Sequence, residues 1–169
     1  MAGLLRFRGD PVGAGMQALA QKAPIVTDIR MVQAGILKKG HGSEVICALD
    51  FGEALSKETG ITRTSAGFRS IGDRLAGSIV VVGNAPSSLL AVCDLVEGGV
   101  RPSLVVGAPV GFVNAAESKE RLRSLDVPSV STEGTRGGTP VAVAALNEII
   151  VMYAEAVRAQ GSGDRVQVP

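Results

Sequence analysis

The sequence predicts an α/β protein built on a mostly parallel, doubly wound sheet of five strands. Two observations carry this. Short apolar runs rich in β-branched residues alternate with stretches of helical periodicity through five units. The change of rhythm is also sharp: Ser78-Ile79-Val80-Val81-Val82 reads as a buried parallel strand, while Leu89, Leu90, Cys93 and Val96 recur at helical spacing. Between the two stand Gly83, a cap-competent Asn84 and Pro86 in the first turn, so strand gives way to helix almost at once. That places Asn84 at the carboxyl end of a parallel strand, where ligands of open α/β sheets bind.

In chain order, Asp10 and Pro11 read as N-cap and first helical position, with Val12, Met16 and Leu19 as an apolar stripe. The first strand is Ala23 to Asp28, followed by a short helical turn over Met31 to Ile36 ended by Gly35. A basic loop, Lys38-Lys39-Gly40-His41-Gly42, leads to a second strand over Glu44 to Leu49. Gly52 to Ser56 reads as helical and is broken by Gly60; Thr62-Arg63-Thr64-Ser65 opens the next helix, with Phe68, Ile71 and Leu75 facing inward. After the third strand comes a helix over Ser87 to Glu97, ended by Gly98-Gly99. Ser103 to Gly107 is the fourth strand, Pro109 to Val113 a turn, and Asn114 to Glu120 a helix start. Val127 to Ser131 is a weaker fifth strand. Thr139 and Pro140 then cap and open a last helix, apolar on nearly every side through Met152 and expected against sheet and partner.

A chain of 169 residues suits one domain, expected over residues 1–158 with a flexible polar tail over 159–169. Aromatic residues make up only 3%, so the core must be built from Val, Ile, Leu and Ala. Seventeen basic against sixteen acidic residues leave a formal charge of +1, and no basic run is interleaved with aromatics, so nothing directs the chain to nucleic acid. Cys47 and Cys93 fall on a strand and an apolar helix face and read as reduced core thiols, which with the absence of a signal peptide predicts a cytoplasmic protein. The apolar run from Val141 to Tyr153, interrupted by Asn147 and Glu148, is shorter than a membrane span requires. One histidine and two separated cysteines offer no metal-ligand spacing, and no serine sits in a nucleophile elbow.

The unusual polar and glycine-rich segments fall mostly at strand carboxyl ends: Asp28, the Thr62–Ser65 helix start, Asn84, Pro109–Phe112 and Gly134–Thr139. In a parallel sheet these converge on one rim, with Arg63, Lys119 and Arg136 beside them, a setting for a ligand bearing several carboxylates or phosphates. Other readings stand beside this one. Asp28 either caps the turn after its strand or faces ligand; Arg63 and Arg136 pair with ligand or with acidic neighbours; Lys119 contacts ligand or is a solvated helix residue. His41, between glycines in a basic loop, reads as an exposed, inert imidazole. The Gly134–Thr139 turn lacks the lysine and the glycine spacing of a nucleotide phosphate cradle.

In these same residues the sequence resembles the precorrin-8X methylmutase family. The matching segments run in family order from about Phe7 to Ile150. They include Pro24-Ile25-Val26-Thr27-Asp28, Thr62-Arg63, Gly83-Asn84-Ala85-Pro86, Pro109-Val110-Gly111-Phe112-Val113, Glu117-Ser118-Lys119 and Arg136-Gly137-Gly138. The resemblance implies a flavodoxin-like three-layer α/β/α fold, a homodimer, and an isomerase of cobalamin biosynthesis acting on an anionic corrinoid. Such an enzyme moves a methyl group between adjacent carbons of precorrin-8X or cobalt-precorrin-8, giving hydrogenobyrinate or cobyrinate, and as an intramolecular rearrangement it requires no cofactor. Substrate contacts are expected from Arg63, Thr62, Asn84, Asp28, Lys119, Arg136, Gly137 and Gly138. The family's general-acid histidine lies ahead of the segment matching Phe7, and His41 does not match it. Three alternatives follow: the region bearing it lies upstream of this sequence, or another chain supplies it, or the protein binds corrinoids on the same scaffold without isomerising them.

Overall fold

Val-rich runs form strands because branched side chains pack well on a pleated surface covered on both faces. In the computed structural model, which describes residues 2–163, six strands form one sheet in the order β1-β6-β5-β4-β2-β3. β2 (Ile25–Thr27), β3 (Val45–Cys47), β4 (Ile79–Val82), β5 (Leu104–Gly107) and β6 (Ser129–Thr132) are parallel. Ile25 stands beside Val45 on one side and Ile79 on the other. β1 (Leu5–Arg8) is added antiparallel to β6, with Leu5 opposite Thr132 and Arg8 opposite Ser129. The expected five strands are therefore corrected to six. Leu5-Arg6-Phe7-Arg8 alternates apolar and charged residues as an edge strand does, in a run too short to stand out. Without β1, the parallel strands follow the flavodoxin-like 2-1-3-4-5 order.

Successive strand residues point to opposite faces, and each face has its own helical layer. Ile79, Val81, Leu104 and Val106 pack with Leu19 of α1 (Pro11–Ala20), Val32 of α2 (Arg30–Gly35) and Ala142, Leu146 and Ile150 of α7 (Thr139–Gly163). Val80, Val82 and Val105 pack with Phe68 of α4 (Arg63–Ile71), Leu89, Val92 and Val96 of α5 (Pro86–Glu97) and Leu122 of α6 (Ala115–Ser124). α3 (Glu53–Thr59) leans on α4 outside this core. Cys47 and Cys93 are both buried free thiols, and burial pushes Cys93 up to about 12.

Local chemistry sets the helix ends. The Asp10 carboxylate accepts from the Gly13 N–H at 2.9 Å ahead of Pro11, and Thr62 Oγ1 accepts from the Ser65 N–H at 3.3 Å. Gly60 ends α3 in the left-handed region at φ +74°. One helix departs from expectation. α7 continues through Gly163, so residues 159–163 are helical, while residues 164–169 of the expected tail lie outside the described residues. Over Thr139–Gln160 it is long and apolar enough, by length and composition, to cross a membrane. Its Ala142, Leu146, Ile149 and Ile150 stripe is nonetheless buried on the sheet, as in a core helix.

Candidate functional site

Parallel strands deliver their following loops to one edge. That rim holds Asp28 after β2, Gly83–Ala85 after β4, Ala108–Asn114 after β5, Glu133–Gly138 after β6, and the start of α4. β2 and β4 are neighbours from which the chain departs in opposite directions, so the crevice between their ends is the switch point where this class of sheet receives a ligand. Side-chain links tie the rim together. Thr62 Oγ1 and Ser87 Oγ lie 3.1 Å apart, joining α4 to α5, and a Cβ on Gly83 would lie 3.0 Å from Thr139 Cα at the start of α7.

Asp28 occupies that crevice itself. It is fully buried, and its carboxylate accepts from the N–H groups of Ile29 (3.0 Å), Gly83 (3.2 Å), Asn84 (2.8 Å) and Ala85 (3.3 Å). Burial raises its pKa, and these four hydrogen bonds to the ionised form oppose that rise. The expectation that Asp28 faces ligand is corrected: it holds the β4–α5 loop from beneath. The loop's N–H groups are correspondingly engaged and not open to an anion. Asn84 does not cap α5, whose N-cap is Ala85 without a side-chain bond; the Asn84 side chain is exposed on the rim.

Lys119 is likewise corrected. On the inner face of α6 it is fully buried, donating to Thr132 Oγ1 (3.1 Å) and to the Arg136 carbonyl (2.7 Å), which also accepts from Thr132 Oγ1 at 2.6 Å. No carboxylate among the described residues partners it. Desolvation, with the nearby Arg123 charge, lowers its pKa to about 8. Its ammonium thus fixes the backbone beneath Arg136, whose own guanidinium is exposed and makes no hydrogen bond or ion pair with the described residues. Gly137 lets this turn sit against the β5–α6 loop, for a Cβ there would lie 2.3 Å from the Ala108 carbonyl oxygen. Gly138, at φ +112°, donates its N–H to the same carbonyl at 2.7 Å, so that group is unavailable to a ligand.

Arg63 is exposed at the start of α4. Its Nε donates to the Leu49 carbonyl at 3.2 Å, and its guanidinium stands 3.8 Å from Glu53, whose closer partner is Lys57 at 2.7 Å. The pairing is loose and leaves Arg63 free to engage an anion. The structure thus brings Thr62, Arg63, Asn84 and Arg136 onto one exposed rim and places Asp28 and Lys119 beneath it as supports. His41 lies elsewhere: its loop precedes β3, at the opposite end of the sheet. Its imidazole is tied locally, Nδ1 accepting from the Ser43 N–H at 3.1 Å and Nε2 donating to the Leu37 carbonyl at 2.6 Å. Sequence reasoning gave no role to the tip of the Pro109–Val113 turn, where Phe112 is 95% and Val113 75% exposed.

A flavodoxin-like sheet whose switch point is filled by its own carboxylate, under a rim of accessible guanidinium groups, defines an α/β protein with exposed positive charge above the strand ends. The comparisons narrow the class. The precorrin-8X methylmutase profile matches residues 1–152. The chain is 45% identical over 152 residues to a cobalt-precorrin-8 methylmutase of Methanocaldococcus jannaschii, covering 88% of this chain and 70% of that one. It is 41% identical over 152 residues to a precorrin-8X methylmutase of Pseudomonas aeruginosa, covering 86% and 73%. A solved precorrin-8X methylmutase from Thermus thermophilus superposes with a TM-score of 0.84 at 38% identity, covering 91% of this chain and 77% of that one. The chain belongs to the precorrin-8X methylmutase family.

Proposed function

We propose that this protein is an isomerase of cobalamin biosynthesis. It moves a methyl group from one ring carbon of precorrin-8X, or of cobalt-precorrin-8, to the adjacent carbon, giving hydrogenobyrinate or cobyrinate. One methyl–carbon bond breaks and one forms within the same molecule. The observation that carries the reading is the rim, where Arg63 and Arg136 present guanidinium groups from separate elements at the strand ends of a fold this family shares. Carboxylates projecting from a macrocycle, each able to accept paired N–H donors from one guanidinium, match such spaced cations. In this reading Arg63, Arg136, Thr62 and Asn84 contact the substrate's carboxylates and fix the ring's orientation. Gly137 and Gly138 set the height of the Arg136 turn.

The reading includes a cytoplasmic homodimer. A groove of about 500 Å³ between β1, α1 and α7, lined by Leu5, Phe7, Val141, Ala144, Ala145 and Met152, supports burial of this face by a second copy. Turnover of precorrin-8X followed by absorbance tests the activity. Conversion to hydrogenobyrinate is expected; tight binding without methyl migration would assign the chain to corrinoid carriage instead.

A further inference from the structure

Arg136 and Phe112 rise from one shared base. The Ala108 carbonyl accepts the Gly138 N–H at 2.7 Å, the Gly111 N–H donates to the Thr135 carbonyl at 3.2 Å, and the Ala108 N–H donates to the Val82 carbonyl at 2.9 Å. Pro109 stiffens one side of this loop. Asn114, left-handed at φ +61°, turns the other side into α6, its carbonyl accepting the Ser118 N–H at 3.0 Å. The loop is therefore pinned at both ends, yet its tip presents Val110, Phe112 and Val113 outward. Only four phenylalanines occur in the chain, and the others have work to do. Phe68 is core, Phe51 lies under the Arg74 guanidinium at 5.5 Å, and Phe7 lines the α7 groove. Of the four, Phe112 alone stands nearly bare, on a loop bonded by its backbone to the turn that carries Arg136, a cation without a partner among the described residues.

We propose that Phe112, flanked by Val110 and Val113, is a specificity-determining platform that packs against the flat face of the ring while Arg136 holds a carboxylate at its edge. The inference rests on the corrinoid reading of the rim and adds a requirement to it. Guanidinium groups alone recognise any polycarboxylate; an aromatic surface beside them selects one whose carboxylates surround an apolar disc. Holding the tip outward in the free protein means that little ordering opposes contact when the ring arrives.

The test measures binding of hydrogenobyrinate and of tricarballylate, an acyclic tricarboxylate, to the unmodified chain and to Phe112→Ala and Phe112→Tyr, with oligomeric state followed by light scattering. Stacking of an aromatic side chain on a nucleobase is worth about ten- to a hundredfold in affinity, and a loss of that order is the yardstick here. Phe112→Ala should weaken hydrogenobyrinate binding by about that factor and leave tricarballylate binding unchanged, and Phe112→Tyr should restore ring binding. Equal hydrogenobyrinate affinity in Phe112→Ala overturns the platform while leaving the corrinoid reading standing. Failure of the unmodified chain to bind hydrogenobyrinate overturns both. A change of oligomeric state in Phe112→Ala makes the residue a subunit contact and also overturns the proposal.

Discussion

At the scale of single residues, buried charges support the rim, and under the proposed function the exposed ones recognise the substrate. Arg63→Ala and Arg136→Ala should each weaken hydrogenobyrinate binding by about 1.5–3 kcal/mol, the range for hydrogen bonds to charged groups. His41→Ala, altered at the far end of the sheet, should leave the dissociation constant unchanged; titration calorimetry compares the three. Asp28→Asn puts an amide among four backbone donors where the carboxylate accepted all four. A loss of about 2–4 kcal/mol in urea unfolding is expected, because polar groups are left buried without partners. Lys119 carries a pH signature. Its folded pKa of about 8 lies below the unfolded value of 10.5, so between those values the unfolded chain holds a proton that the folded chain has released. Lys119 therefore adds stability as pH rises from 8 to 10.5, by up to about 3 kcal/mol. The slope should be missing in Lys119→Met; identical pH–stability profiles would contradict it. Neither burial was legible in the sequence. Strand order brings Asp28 to the strand ends and Lys119 follows on α6, but whether a side chain points up into solvent or down into the sheet is settled by the loop packed over it.

At the scale of elements, the sequence was most readable where several signals agree. β4 and α5 fall within a residue of expectation, because a four-residue β-branched run, a glycine and a first-turn proline reinforce one another. β1 went unread because four residues give only two periods of alternation. α7 outran its apolar stripe because Ala154, Glu155 and Ala156 favour helix without advertising a buried face. Close helix approach was also invisible. A Cβ on Gly67 of α4 would lie 2.0 Å from the Ala48 carbonyl oxygen, and one on Gly52 would lie 2.0 Å from the Arg63 carbonyl oxygen. Both glycines let the turn over Ala48–Phe51 press against α4, whose first residue is Arg63. Gly67→Ala should cost about 1–3 kcal/mol by overpacking, read from thermal unfolding, and should weaken hydrogenobyrinate binding as the start of α4 shifts. Unchanged stability would mean that α4 can withdraw without loss.

At the scale of the molecule, α7 joins the two ends of the sheet. Its inner stripe is core and its outer stripe borders the apolar groove. Under the homodimer reading, Val141→Glu with Met152→Glu should shift the chain from dimer to monomer in analytical ultracentrifugation, while a far-UV spectrum shows the fold retained. An unshifted dimer would move the interface elsewhere. The carboxylate at the switch point has a further consequence, for the size of what can bind. A lone phosphate or sulfate gains most from a nest of converging N–H groups, and in this fold Asp28 is already the guest of that nest. A small inorganic anion therefore finds the N–H groups of Ile29, Gly83, Asn84 and Ala85 already bonded. A wide molecule that reaches from one guanidinium to the next loses nothing by this. Inorganic phosphate should therefore compete poorly with a wide polycarboxylate for this rim, a difference that competition titration reads directly.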